Sequence, residues 1–371
     1  MKFRTISVHG GYHPEKLTDA IPPLHFSTTF EHREDSSLLY SRVQNPNREM
    51  LENLVAKLEK GKFGFAFSSG VAAINAVMQT LPVGSTIVAP KELYHGARIL
   101  LNSLQEWKNF KVHYVDLSLS ASFAELSNLK PDLLWIETPS NPNFTVSDVR
   151  MLCEWAGNNN CLTAVDSTWL SPVYMNPLRL GANFVIHSAT KYLSGHSDVL
   201  AGIVVVNDEE LAGKVRNVQI SQGAVLAPFD CWMIVRSIKT LEIRVKAQSF
   251  TASKLAYWLK DLSWVDQVLY PGLYTGNEGV VHRHQASGNG SMISILVKAP
   301  METVREFAKK SKLIINATSL GGVESTWEHR FTSEGENSPT PKNLIRFSVG
   351  LEDVDDLMAD ISQAASEVGL K

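Results

Sequence analysis

The stretch Val185-Ile186-His187-Ser188-Ala189-Thr190-Lys191-Tyr192-Leu193-Ser194-Gly195-His196-Ser197-Asp198 sets a lysine just after a buried-strand run, among small hydroxylated residues. A lysine at a strand end ordinarily points to water. Two kinds of chemistry would give it another use. Ser188-Ala189-Thr190-Lys191 fits the Ser-x-x-Lys pattern of penicillin-binding serine enzymes, but the companion Ser-Asp-Asn and Lys-Thr-Gly motifs are absent. The other use is a Schiff base with an aldehyde cofactor. A desolvated lysine has a lowered pKa and becomes nucleophilic.

Moving outward, short apolar runs recur along the first two thirds of the chain. They are Phe65-Ala66-Phe67, Ile87-Val88-Ala89, Val112 to Val115, Leu133 to Ile136, Ala164-Val165, Phe184 to Ile186 and Ile203 to Val206. Stretches with helical potential separate most of them. Before them, Met50, Leu51, Leu54, Val55 and Leu58 recur at helical spacing, and Gly61 stops that run. Strands alternating with helices predict βαβ units and a parallel sheet covered on both faces. Past Ala227-Pro228 the alternation weakens. A helical stretch without Gly or Pro is expected from Cys231 to about Leu259, then strands at Met292 to Val297 and Asn343 to Val349, then an amphipathic helix from Val354.

The expected organisation is α/β. An N-terminal arm (residues 1–45) precedes a large domain with a mostly parallel sheet (46–228) and a smaller C-terminal α+β domain (229–371). The arm shows no periodicity and is punctuated by Pro22-Pro23, but Phe26, Phe30 and Tyr40 favour docking on another surface over disorder.

The bulk properties narrow the class. A length of 371 residues predicts more than one domain. At 44% hydrophobic and 20% charged residues, wholesale disorder is excluded. A net charge of -3 lacks the basic surplus of nucleic-acid binders. No apolar run approaches the roughly 20 residues of a membrane span, and Met1-Lys2-Phe3-Arg4-Thr5 does not open a secretory signal. Three scattered cysteines, Cys153, Cys161 and Cys231, make no disulfide framework, so a cytoplasmic protein is expected.

Pyridoxal phosphate (PLP) needs more than a lysine: an acid at its pyridine nitrogen and a cradle for its phosphate. Asp166 ends a strand, where α/β proteins bind ligands, and could keep the ring nitrogen protonated. Ser69-Gly70-Val71 lies where a strand feeds a helix, whose free N–H groups and dipole suit an anion. Taken singly, each is equally at home as a cap or turn residue.

Taken together they occur in a fixed order with other motifs. These are Tyr40-Ser41-Arg42, Asn45-Pro46-Asn47-Arg48, Ser68-Ser69-Gly70, Glu137-Thr138-Pro139-Ser140-Asn141-Pro142, Asp166-Ser167-Thr168, Ser188-Ala189-Thr190-Lys191-Tyr192, Gly195-His196-Ser197-Asp198, Ser319-Leu320-Gly321-Gly322-Val323-Glu324-Ser325 and Arg346. From about Ser7 to the tail, the chain resembles the Cys/Met-metabolism family of PLP-dependent enzymes. That family includes cystathionine γ-synthase, cystathionine γ- and β-lyase, methionine γ-lyase and O-acetylhomoserine sulfhydrylase.

The resemblance implies fold type I, like aspartate aminotransferase, with PLP as cofactor. It implies that Lys191 carries the cofactor and then moves protons on the substrate, and that Asp166 pairs with the ring nitrogen. Ser69, Gly70, Val71, Ser188 and Thr190 would hold the phosphate, with Thr168 beside the ring. Tyr94 would stack on the ring, and Asn141 would lie near its oxygen. Tyr40 and Arg42 would reach the phosphate of a neighbouring subunit. On this reading Tyr40 and Tyr94 join Lys191 as catalytic residues, and the protein is a homo-oligomer, a tetramer built as a dimer of dimers. Arg346 would grip the substrate α-carboxylate, with Ser319 and Asn141 in the same wall.

Departures from the family pattern cluster where specificity is set. Asp-Asn-Thr-Phe is here Asp166-Ser167-Thr168-Trp169, and the Gly-Gly after Tyr94 is His95-Gly96. The cysteine of methionine γ-lyase would fall at Gly96. Arg98 stands one position early for the arginine that usually follows Tyr94. The glutamate before Ser-Leu-Gly-Gly is Thr318. The segment from Trp327 to Pro341 is short and lacks His-Pro-x-x-Met-Thr-His. His282 and His284 are expected at the surface, without the spacing of a metal site. The run Glu352 to Asp356 is expected to open the last helix.

The expected activity is γ-elimination or γ-replacement on a sulfur-containing or otherwise γ-substituted amino acid. The alternatives are a cystathionine β-lyase-like C–S lyase, a specialised lyase of secondary metabolism, and a non-catalytic PLP-binding regulator.

Overall fold

The computed structural model describes residues 1–11, 19–34, 36–118, 122–335, 338 and 340–370. Residues 12–18 and 35 of the expected arm, and 336, 337 and 339 of the expected short segment, lie outside the described residues.

The arm is not wholly irregular. Helix α1 (Phe3–His9) buries Ile6 in one core with Leu51 and Leu54 of α2 (Pro46–Leu58). Seven residues are too few to hold a helix by propensity, so α1 exists through that packing. Helix α2 starts where the Asn45 side chain accepts from the N–H groups of Asn47 and Arg48, with Pro46 at the first helical position.

The large sheet follows. Its strands are β1 (Phe63–Phe67), β2 (Thr86–Pro90), β3 (Lys111–Val115), β4 (Leu133–Glu137), β5 (Leu162–Asp166), β6 (Phe184–Ser188) and β7 (Gly202–Val206). Between them run α3 (Gly70–Gln79), α4 (His95–Trp107), α5 (Ser122–Leu129), α6 (Val149–Asn158) and the single turn α7 (Ser171–Tyr174). The order is β1-β7-β6-β5-β4-β2-β3. All neighbours are parallel except β7, which runs antiparallel to both β1 and β6. Every residue of β4 and β7 is buried, as expected where helices cover both faces.

Next come α8 (Glu209–Gln222), α9 (Pro228–Ile238) and α10 (Leu241–Lys260). The uninterrupted helix expected from Cys231 to Leu259 is therefore two helices. Arg244, buried in α10, donates through Nη2 to Ser237 O and through Nη1 to Tyr192 O. Burying that guanidinium requires the Ser237 carbonyl as its acceptor.

The second sheet contains β8 (Val265–Leu269), β9 (Met292–Val297), β10 (Ile315–Asn316), β11 (Thr326–His329) and β12 (Leu344–Ser348), in the order β10-β11-β12-β9-β8. The helices α11 (Asn277–Gln285), α12 (Met301–Lys309), α13 (Arg330–Glu334) and α14 (Val354–Glu367) complete this part. Its core includes an aromatic series, Trp264, Phe307, Trp327 and Phe347, with ring centroids 4.9–6.0 Å apart. Asp353 caps α14, as the acidic run foretold. His282 corrects its expectation: it is buried, and its Nε2 donates to Gly288 O. Among the described residues, no helix is long and apolar enough to cross a membrane.

Candidate active site

Three strands end side by side at one sheet edge. Glu137 closes β4, Asp166 closes β5 and Ser188 closes β6, with Glu137 and Asp166 in direct register. A cavity of about 450 Å³ opens there. Its walls include these three residues, the start of α3, Tyr94, Lys191 and a face of the second sheet that carries Ser319, Arg330 and Arg346. The position agrees with the rule that open α/β sheets bind ligands at the carboxyl ends of their strands.

The start of α3 is a ready anion site. Ser69 caps it by accepting from the Ala72 N–H, and the Gly70 and Val71 N–H groups have no acceptor among the described residues. A Cβ on Gly70 would stand 3.0 Å from Ser188 Cβ and Oγ, so the glycine keeps the helix start close against β6. Thr190 lines the same space, but its hydroxyl is engaged. It donates to Ala201 O at 3.2 Å and accepts from Ala201 N–H at 2.9 Å.

Asp166 is held from below. Its Oδ1 accepts from Thr168 N–H at 3.0 Å and Thr168 Oγ1 at 2.5 Å, while Oδ2 has no partner among the described residues. The Thr168 hydroxyl also accepts from Ser188 N–H at 2.9 Å. Burial pushes the Asp166 carboxyl up; the two Thr168 bonds, His187 and Lys191 oppose it. Glu137 is pushed well up, first by burial and then by Asp166, with the Tyr94 N–H bond (2.7 Å) and the Arg330 charge in opposition. Two carboxyls in register do not readily ionise together. Asp166 has the better-stabilised anion, so Glu137 is the one kept protonated.

Tyr94 sits at the N-terminus of α4, half exposed. A Cβ on Gly96 would lie 2.6 Å from Tyr94 Cε1, so only glycine there lets the ring fold over the helix start.

Lys191 Nζ donates to Ser319 Oγ at 2.9 Å. Its pKa is lowered to about 8 by burial first, then by Arg346 and Arg330. Ser319 has φ +90°, a conformation that costs energy for a residue with a side chain. In that pose its carbonyl accepts from Arg346 Nη2 at 3.1 Å. Arg346 also donates to Asn141 Oδ1 (3.2 Å) and to Glu328.

Charge here should show in reactivity. In the apoenzyme, modification of Lys191 by an amine-selective reagent is expected to rise with pH through about 8 and then level off, because only the neutral amine attacks. An unperturbed lysine would keep rising to about 10.4. Rates followed by peptide mass spectrometry decide between the two.

Among the expected residues, Lys191, Asp166, Ser69, Gly70, Val71, Tyr94, Asn141, Thr168, Ser188, Thr190, Ser319 and Arg346 all line this one cavity. Tyr40 and Arg42 do not. Arg42 donates to Ile220 O at 2.8 Å and lies over the Tyr40 ring, both on the surface. Arg98 also faces elsewhere, with its guanidinium on Lys91 O and over the Tyr114 ring. Sequence reasoning did not assign roles to Glu137, Glu328, Arg330 and Glu334. The strand-end rule that found Asp166 applies equally to Glu137; the others carry no local signal.

The donor set fits PLP. Asp166 Oδ2 is an unpaired carboxylate oxygen for a ring nitrogen. The N–H groups of Gly70 and Val71, with the Ser188 hydroxyl, suit a phosphate. Lys191 supplies an amine whose pKa is lowered to about 8. Comparison with known proteins agrees. The family described as Cys/Met metabolism PLP-dependent enzyme matches residues 4–366. Cystathionine γ-lyase of Saccharomyces cerevisiae is 37% identical, over 99% of this chain and 98% of that protein. Cystathionine β-lyase of Lactococcus lactis is 38% identical, over 97% and 98%. The crystal structure of cystathionine γ-synthase from Xanthomonas oryzae pv. oryzae, in complex with aminoacrylate and cysteine, superposes with a TM-score of 0.94 at 33% identity, over 99% of this chain and 98% of that one.

Proposed function

This chain belongs to the Cys/Met-metabolism family of PLP-dependent enzymes, and from that membership we propose that it catalyses γ-elimination or γ-replacement on a γ-substituted amino acid. The observation that carries the reading is the Lys191 amine, its pKa lowered to about 8 and its one hydrogen bond among the described residues made to the Ser319 hydroxyl. Chemistry at Cγ needs a base that takes a proton from Cα and then serves Cβ. An amine of lowered pKa on a four-carbon stem does both.

When bound, the cofactor supplies an electron sink for charge developing on the substrate carbons. The rest is the work of this chain's residues. Gly70 and Val71 offer N–H groups to the phosphate, with Ser69 and Ser188 beside them and Thr190 bracing the loop. Asp166, steadied by Thr168, keeps the ring nitrogen protonated. Tyr94 covers the ring face. Arg346 and Asn141 hold the substrate α-carboxylate, and Ser319 aims Lys191 at the α-proton. A β-lyase reading has one feature in its favour: Trp169, which resembles that branch in sequence, lines the cavity and packs edge-on against Phe144 at 4.7 Å. Incubation with cystathionine separates the two, because γ-elimination releases 2-oxobutyrate and β-elimination releases pyruvate. Pyruvate alone would overturn the γ reading.

The reading includes assembly in the cytoplasm as a tetramer, with Tyr40 and Arg42 serving the phosphate of a partner subunit. Both lie outside their own cavity, and Tyr40 is 43% exposed. Deleting residues 1–45 is expected to weaken oligomerisation and cofactor retention together. A truncated monomer with full cofactor occupancy and full activity would contradict it.

A further inference from the structure

The cavity above Lys191 contains two guanidinium groups, and the α-carboxylate accounts for one. Arg330, first residue of α13, lines the cavity with Arg346 and is only 6% exposed. Glu328 Oε1 serves both arginines: Arg330 Nη1 donates to it at 3.0 Å, and Arg346 Nη2 donates to it as well. Arg330 Nε lies 2.8 Å from Glu334 Oε1, and Glu334 Oε2 accepts from the Ser338 and Thr340 hydroxyls. Two carboxylates thus flank the Arg330 guanidinium, Glu328 by a hydrogen bond at Nη1 and Glu334 by an ion pair at Nε. Its Nη2 makes no hydrogen bond among the described residues. Ser333 stands in the same wall and also makes none there.

A clamped, buried, planar cation with one nitrogen left open is a preorganised anion contact. A neutral side-chain terminus would bury that nitrogen unpaired, at a cost. The feature lies in the segment after Trp327, which lacks the His-Pro-x-x-Met-Thr-His pattern.

We infer that Arg330 is a specificity-determining residue that reads the far end of the substrate side chain, and that this end carries a carboxylate. The inference rests on the substrate-site reading given above. Glu334 does not oppose it, because its charge is already met by Arg330 and two hydroxyls. Arg346 and Arg330 then hold the two ends of one diacid, with Lys191 between them.

Calorimetric titration of the holoenzyme with L-2-aminosuberate and L-2-aminooctanoate tests this. The two have the same carbon count and differ by one terminal carboxylate. The diacid is expected to bind at least about tenfold more tightly, the scale of one charge-assisted contact. The ratio should fall to within about threefold in Arg330→Leu and recover in part in Arg330→Lys. A parent ratio near one overturns the inference and needs no variant. So does an Arg330→Leu protein that weakens both ligands equally, since that is the mark of a purely structural arginine. If Arg330→Leu does not fold with Glu334 unpaired, Arg330→Leu/Glu334→Gln provides the same comparison. Neither ligand has a leaving group, so the ratio is independent of γ chemistry. A protein that makes no 2-oxobutyrate yet keeps the ratio refutes the reaction alone.

Discussion

Replacing Lys191 by alanine is expected to lower turnover of any γ-substituted amino acid by at least about 10³-fold, within the range for losing a positioned acid–base group. The visible absorbance of lysine-bound cofactor should vanish with it. No other lysine lines the cavity among the described residues, so nothing can take over the proton. Ser319, which shares the Nζ contact, has too high a pKa to act as a base at neutral pH. The fold should survive, because among the described residues the side chain makes one hydrogen bond and no ion pair. Unchanged absorbance in the variant would remove Lys191 from its proposed role.

Arg346→Leu should act differently. We expect KM to rise by roughly 30- to 5000-fold, about 2–5 kcal/mol for losing a charged contact whose partner is left unpaired. The kcat should change much less, and cofactor absorbance should persist. Lysine is expected to rescue poorly, since a point charge cannot reproduce a fork that bonds Asn141, Ser319 and Glu328 at once. A second readout is independent of substrate. Arg346 is the foremost charge depressing Lys191, so the titration near 8 should move upward in the variant. A kcat/KM within about threefold of the parent, only about 0.6 kcal/mol, would show that the carboxylate binds elsewhere. Arg98, the next arginine suggested by sequence, is turned to Lys91 O and does not offer itself as a substitute.

How far the sequence could be read depended on whether a residue's role is written locally. Asp166 and Lys191 follow buried strands, and strand ends in an alternating α/β pattern face the ligand crevice. Their placement was therefore legible before any coordinates. The β1 to β7 strands were legible too, since strands covered on both faces are largely apolar runs whatever their direction. The break between α9 and α10 was not, because Lys239 and Thr240 are unremarkable and the cause, Arg244 reaching Ser237 and Tyr192, is tertiary. Strand β8 was missed too. Asp266 and Gln267 interrupt its apolar pattern at an irregular sheet edge. Helix α1 leans on Leu54, more than 40 residues away. Arg330 and Glu334 sit in a stretch that read only as shortened. Their meaning came from Glu328 and Arg346, which two antiparallel strands bring into register.

The cavity is assembled from two sheets, and each contributes a separate kind of group. The proposed cofactor contacts stand on the large sheet, at Gly70, Asp166 and Ser188. The charged substrate grips proposed, Arg330 and Arg346, stand on the second, and only the uncharged Asn141 comes from the first. Selection can therefore act on the two halves independently. Substitutions on β11, α13 and β12 alter what is admitted without retuning the ring or phosphate contacts. Relatives that share a little over a third of this sequence and carry three different activities in their names are what such a divided architecture would leave behind. Exchanging the segment from β11 to β12 between relatives is thus a shorter evolutionary route to a new substrate than redesigning the catalytic half.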